Sequence, residues 1–313
     1  MTALVPVQTQ WVAYIGGWDV EKARAAGRAA KRDGAGGIIC HLQPGTTLPG
    51  VAMFTAMQEV WRQQGHKVYL SLYLDRLGER DQDKTLAMLA RSSSWDGLIV
   101  DVEAEWQGFA RRQPRDAKRN LHEYVAAVRP RVPLLAYSSY ALPASRSSFH
   151  FPWFDELFDL YLPQVYLGIR SNSETFDGSA KAFLDAMRAS VKRAGLVKPL
   201  IPVGDPLGGG AKPAETKIEG DLSIERYGAV SWWRQPFVQK SRDAFRTLPR
   251  AIPLPIPEPS PDPCADWKQQ VADYVEQADA LQDELDRVNE QLAEREDRLS
   301  EIVSLATIAE EET

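Results

Sequence analysis

Cysteine is scarce in this chain: 313 residues contain two, Cys40 and Cys264. One sits in an apolar run and the other among prolines, which excludes a disulfide framework and a zinc ribbon. Histidine is nearly as rare. His41, His66, His122 and His150 are scattered without the spacing that metal ligands adopt, so neither a metal site nor a cofactor is expected. Long apolar runs are also missing. No stretch approaches the ~20 residues that cross a bilayer, so no membrane span is expected. The start, MTALVPVQTQW, lacks a basic segment leading into an apolar core, and no Sec leader is expected either. Localisation stays open on these grounds: the protein remains inside, or it leaves by lysis or by assembly into a particle such as a virion.

Positive charge is lacking where a nucleic-acid binder would need it. Residues 267–313 carry 14 acidic and 4 basic side chains, a balance of −10 against −6 for the whole chain, which leaves +4 for the rest. A mildly basic body with an acidic tail is not the charge pattern of a nucleic-acid partner.

What is present is a repeated alternation. Eight short apolar runs, β-branched or aromatic and bounded by Gly, Pro or Asp, read as strands: residues 11–15, 37–40, 67–74, 96–102, 133–140, 161–167, 199–204 and 228–233. Amphipathic stretches between them read as helices at 19–33, 51–64, 82–91, 116–129 and 177–194, with weaker patterns at 151–159 and 212–225. Eight strand–helix units in about 225 residues predict an α/β fold, a closed (β/α)8 barrel over residues 1–245, with a doubly wound open sheet as the alternative. Nine tryptophans and ten tyrosines suit both a large core and a cleft that stacks on sugar faces.

Two further segments follow. Residues 246–266 form a linker with proline at 249, 253, 255, 257, 259, 261 and 263, and the run 249–263 predicts an extended polyproline spacer some 45 Å long at about 3 Å per residue. From Trp267 a heptad pattern begins. Its a and d positions are Val271, Tyr274, Ala278, Leu281, Leu285, Val288, Leu292, Arg295, Leu299, Ile302, Ala306 and Ala309. Six heptads of this kind predict a coiled coil, and hence self-association through residues 267–309 as a dimer or trimer, with Arg295 as a polar break that sets register.

The chemistry concentrates at strand ends. In a parallel barrel, functional groups project from the C-terminal ends of strands towards the axis. Side chains two apart on a strand share a face, so Asp101 and Glu103, closing DGLIVDVE, face the same way with Cβ atoms roughly 7 Å apart. Two carboxyls at that spacing do not ionise independently, and one holds its proton to higher pH. Cleavage of a glycosidic bond needs that division: an acid for the leaving oxygen and an anion for the developing cation. The competing reading is a solvated pair capping the next helix. Other strand ends offer partners: Gln164 and Tyr166 on the sixth, Trp232 and Trp233 on the eighth, and Tyr137 and Ser139 on the fifth. Tyr14 lies on the first with Asp19 beyond it, and Asp205 follows the seventh.

DGLIVDVE resembles the strand-four signature of family 18 glycoside hydrolases, the chitinases and endo-N-acetylglucosaminidases. QVY at 164–166 resembles their Gln-x-Tyr variant, and GAVSWW their strand-eight tryptophan strand. The D-x-E ending is shared with family 25 lysozymes. The resemblance covers the barrel alone. It implies substrate-assisted, retaining hydrolysis with Glu103 as general acid, Asp101 orienting the N-acetyl group that attacks the anomeric carbon, Tyr166 and Gln164 beside that group, and Trp232 or Trp233 flooring the subsite. Family 18 places a further Asp two residues before Asp101, where this chain has Ile99. That departure shifts weight towards the muramidases.

The expectation is therefore a glycosidase acting on an N-acetylhexosamine polymer, peptidoglycan in preference to chitin. A barrel carried on a spacer and an oligomerising helix would suit a phage tail or lysis protein in contact with other virion proteins. The alternative is an inactive glycan-binding or structural virion protein. A third reading uses Gly208, Gly209 and Gly210 as a phosphate cradle.

Overall fold

The computed structural model describes residues 4–14, 19–42, 51–91, 95–167, 175–205, 213–233, 246, 248 and 254–255. The heptad segment 267–309 and the glycine run 208–210 lie outside the described residues.

Eight parallel strands close into a barrel. They are β1 (Gln8–Tyr14), β2 (Gly37–Leu42), β3 (Lys67–Tyr73), β4 (Gly97–Asp101), β5 (Leu135–Tyr140), β6 (Leu160–Val165), β7 (Val203–Gly204) and β8 (Val230–Trp232). Each pairs with the next, and β8 returns to β1 through Thr9↔Ser231. The helices are α1 (Val20–Arg32), α2 (Val51–Gln63), α3 (Glu79–Ala90), α4 (Ala104–Arg112), α5 (Pro114–Val128), α6 (Phe151–Leu157), α7 (Ala180–Arg193) and α8 (Pro213–Tyr227). The chain is thus a (β/α)8 barrel and not an open sheet. Among the described residues no helix is long and apolar enough to cross a membrane.

Strand alternation sorts the core into two layers. Trp11, Ile39, Tyr69, Ile99, Ala136, Leu162 and Val203 belong to the cluster that fills the barrel. Their neighbours in sequence, among them Val12, Ile38, Cys40, Leu70, Leu98, Val100 and Tyr137, face outward and pack with the helices. Cys40 is one of these, and burial pushes its thiol up to about 12, so it behaves as an apolar filler.

Two elements differ from the sequence pattern, and a third bears out a weak one. The seventh strand shrinks to Val203–Gly204, because Pro199 and Pro202 donate no ladder hydrogen bond; Leu200 makes an isolated bridge to Tyr161. Helix α4 follows directly on the D-x-E motif and was not predicted. It begins without a Ser, Thr, Asp or Asn cap and stops at Arg112, two residues before Pro114, although its buried Trp106, Phe109 and Ala110 keep helical spacing. Helix α8 runs over 15 residues, yet it buries Thr216, Glu219, Gly220, Ser223 and Ile224. A face so small and polar leaves little apolar periodicity to read.

The proline-rich segment also departs from a free spacer at the points described. Leu248 is buried with Val7, Ile224 and Trp232, and Leu254–Pro255 pairs antiparallel with Leu4–Val5. Arg246 Nε lies 3.5 Å from Asp33 Oδ1. The start of residues 246–266 is therefore bound to the barrel.

Acids just before strands fasten the rim opposite the mouth. Asp96 Oδ2 accepts from Val68 N–H at 2.8 Å and from Arg62 at 2.7 Å. Asp159 Oδ2 accepts from Leu135 N–H at 2.8 Å and from the half-buried Arg129 guanidinium. Removing one partner of such a pair leaves the other charge and a backbone donor unsatisfied. Asp159→Ala should therefore lose about 3–5 kcal/mol in urea unfolding; a loss under about 1 kcal/mol would mean that the pair contributes no more than a surface one.

Candidate active site

Ile99 lies in the barrel interior, so Asp101, two residues on, projects to the same face at the C-terminal end of β4. It is 4% exposed. Glu103 is half-buried and occupies the N-cap position of α4, but its side chain makes no cap hydrogen bond. It turns instead to Gln164 at the end of β6. The Gln164 Nε2 amide donates to Glu103 Oε1 at 2.8 Å and to Asp101 Oδ1 at 3.0 Å, and lies 3.3 Å from Ser138 Oγ. Two carboxyl oxygens facing one amide fix which end of that amide is nitrogen. The pair is thus clamped across the mouth by a neutral donor from the opposite side of β5, not spent on starting a helix.

Burial raises the proton affinity of Asp101 well above the ordinary carboxylate range, and the Glu103 charge adds to it; hydrogen bonds from Ser138 and Gln164 oppose the shift without cancelling it. Asp101 is therefore the protonated member of the pair. Below it, His41 Nδ1 is 3.0 Å from Ser71 Oγ, and His41 Nε2 is 4.0 Å from Asp101 Oδ2. Burial brings His41 down to about 3, assisted by the Lys84 charge. The imidazole is therefore neutral near pH 7, so its approach to Asp101 is a polar contact and not an ion pair. Trp233 and Trp11 pack edge-on and tilted against the imidazole, at 4.9 and 5.6 Å between centroids.

Aromatic side chains ring the pair. Tyr166 stacks on Trp233 at 6.4 Å. Tyr73, at the end of β3, donates to Glu105 on the first turn of α4. Tyr140, at the end of β5, carries the Arg146 guanidinium 4.5 Å above its ring, and burial and then the Glu103 charge raise its hydroxyl pKa. Among the described residues no group of three or more His, Cys, Asp and Glu side chains is arranged to hold a metal.

Four expected members sit elsewhere. Tyr137 points outward, fully buried and stacked on Tyr161 at 4.7 Å among Phe151, Phe154 and Phe158. Ser139 shares that outward parity. The inward residues of β5 are Ala136, Ser138 and Tyr140, so the strand was read one residue out of phase. Trp232 likewise packs outside the barrel with Val7, Ile224 and Leu248, leaving Trp233 as the inward tryptophan. Asp19 is exposed and caps α1, its Oδ1 accepting from Lys22 N–H at 2.7 Å. Asp205 follows β7 in the inward parity of Ile201 and Val203 and is half-buried; its charge adds to the burial that raises Glu219 on α8. Tyr14 closes β1 opposite Leu42, and its side chain lies outside the described residues. His41, Ser138, Tyr73 and Tyr140 were missed, although His41 and Ser138 each stand two residues beyond an interior residue, Ile39 or Ala136.

No protein-family model matches the chain, and no curated protein does. Solved barrels do align with it. A truncated 3-deoxy-D-arabino-heptulosonate 7-phosphate synthase from Thermotoga maritima has 14% identity over 89% of each chain, with a TM-score of 0.42. An O-GlcNAc hydrolase variant from Thermobaculum terrenum has 8% identity over 77% of this chain and 58% of its own, with a TM-score of 0.47. A thiamine phosphate pyrophosphorylase from Pyrococcus furiosus has 14% identity over 77% and 92%, with a TM-score of 0.41.

The buried carboxyl has a consequence for stability. Asp101 binds its proton more tightly folded than unfolded, so stability is full below the unfolded carboxylate pKa of about 4 and declines as pH rises towards the folded value. Asp101→Asn removes that decline. Its melting temperature relative to wild type should rise between about pH 4 and pH 8; a difference independent of pH would show that Asp101 does not carry the shifted proton.

Proposed function

We propose that the barrel is a glycoside hydrolase that cleaves an N-acetylhexosamine polymer, peptidoglycan in preference to chitin. The observation that supports this reading is the Gln164 amide shared between Asp101 and the half-buried Glu103 at the C-terminal mouth. Such a pair holds one proton and one charge in a fixed place, which is what acid-assisted loss of a sugar leaving group requires.

The roles follow from the resemblance and from the geometry together. Once a sugar is seated, the single proton of the pair passes from Asp101 to Glu103, which leaves Asp101 as the carboxylate. Glu103 then gives that proton to the glycosidic oxygen as the bond to the anomeric carbon breaks. The substrate's acetamido oxygen closes onto that carbon, with the Asp101 carboxylate accepting the acetamido N–H and balancing its positive charge. Water, deprotonated by Glu103, reopens the ring and restores the free sugar with its configuration retained. Tyr166 and Gln164 flank the acetamido group, and Trp233 floors the subsite. Oligomerisation through residues 267–309 would present several barrels to one surface, as a tail or lysis protein requires.

A glycan-binding barrel without turnover is the second reading. Ile99 favours it, because this apolar residue fills the place below Asp101 where a relay carboxylate would stand. Reducing-end release from purified peptidoglycan and from chitin separates the two. Wild type should release ends from peptidoglycan, and Glu103→Gln should be about 10²–10⁴-fold slower. Release that survives the substitution removes Glu103 as the acid; peptidoglycan binding without release by wild type leaves the binding reading.

A further inference from the structure

A cavity of about 540 Å³ opens beside the carboxyl pair, on the loop between β3 and α3. Tyr73 forms the wall common to both: it lines the cavity, and its hydroxyl donates to Glu105, two residues beyond Glu103. The remaining lining is almost entirely ionisable. Arg76, Arg80 and Lys84 contribute cations, and Asp75, Glu79 and Asp81 contribute carboxylates, with Asn120 alongside.

These charges do not form ion pairs with one another among the described residues. Elsewhere on the surface, neighbours on a helix pair off, as Lys181 with Asp185 at 2.6 Å and Arg119 with Asp116 at 2.9 Å do. Around the cavity no two of the six come within ion-pair distance among the described residues. Asp81 is engaged only by backbone: its Oδ2 accepts the N–H groups of Arg76 and Leu77 at 3.0 and 2.9 Å. Those bonds accompany a left-handed Leu77, at φ 53°, whose side chain is buried. Asp75 is drawn up from its ordinary pKa by partial burial and then by Asp81 and Glu105, against the opposing charges of Lys84 and Arg76, and the Lys84 charge also reaches His41 in the barrel mouth.

Three cations and three anions held apart around one cavity match a ligand that carries both signs. They do not match a neutral polymer. Chitin has no ionised group, so six unpaired charges at the rim would serve nothing there. A glycan strand that bears short peptides presents several carboxylates and a free amino group a few ångströms from the sugar backbone. A volume near 540 Å³ is within the usual ~300–1,000 Å³ range of small-ligand sites. We infer that this cavity is a subsite for the zwitterionic peptide stem of a peptidoglycan strand whose sugars lie across Asp101 and Glu103. The inference rests on the glycan reading of that pair and names the part of the substrate that selects peptidoglycan over chitin.

Calorimetric binding to the Glu103→Gln protein, full chain, tests the subsite without cleavage. The probes are a soluble oligomer of alternating N-acetylglucosamine and N-acetylmuramic acid carrying tetrapeptide stems, the same oligomer stripped of its peptides by an amidase, and a chitin oligomer of equal length. The stemmed oligomer should bind at least about tenfold tighter than either other probe, equivalent to about 1.4 kcal/mol. That preference should shrink when ionic strength rises from about 0.05 M to 0.5 M, because exposed charges are screened. Adding Arg80→Gln and Lys84→Met should make the stemmed and stripped oligomers bind alike. Equal binding of the three probes by the unaltered cavity, or a preference that survives both substitutions, overturns the subsite. Wild-type cleavage assayed in parallel keeps the two ideas apart: stem-dependent binding without turnover sinks the hydrolase and keeps the subsite, and turnover without stem preference does the reverse.

Discussion

One amide organises the mouth of this barrel. Gln164 Nε2 stands between Asp101 and Glu103 and donates to both, and no cation does that work among the described residues. A cation there would ionise both acids and leave no proton to give. A neutral donor orients the pair while leaving their mutual repulsion and the burial of Asp101 in force, so a proton stays in the site. The placement depends on closure of the sheet. Gln164 and Asp101 belong to β6 and β4, and only the β5 strand between them, bearing Ser138, brings the two ends into register.

The surroundings protect that arrangement. Inside the barrel, Ile99, Trp11 and Tyr69 exclude water from beneath the pair. His41, held neutral by burial, brings polarity without charge. At the far rim, Asp96 and Asp159 take up strand N–H groups together with arginines. The apolar layer between the rims separates a charged fastening from a proton-holding site.

Much of this was legible in the sequence, because alternation of two is a hard constraint once a strand is anchored. DGLIVDVE runs straight from buried aliphatics into the two acids, so the parity of Asp101 followed from Ile99, and Gln164 and Tyr166 followed from the next run but one. The same rule failed where a run was uniformly aromatic and polar. In LAYSSY nothing distinguishes inside from outside, since Tyr137 is buried against helices as thoroughly as any interior residue, and the register slipped by one. The tryptophans of VSWW posed the same ambiguity. Asp19 looked like a mouth carboxylate but caps a helix, a local role that spacing alone does not separate from a catalytic one. Helix α4 escaped notice because its N-cap position is held by Glu103, a residue type that does not signal a helix start, and its side chain makes no cap hydrogen bond.

In the proposed mechanism a carboxyl pair and the substrate's own acetamido group share the chemistry at the mouth. The anomeric configuration of the first product, followed by proton NMR on a soluble peptidoglycan oligomer before mutarotation sets in, bears on that directly. New reducing ends should appear first as the β-anomer, the configuration of the bond cleaved. Initial appearance of the α-anomer, or no new reducing ends with correctly folded protein, would contradict it.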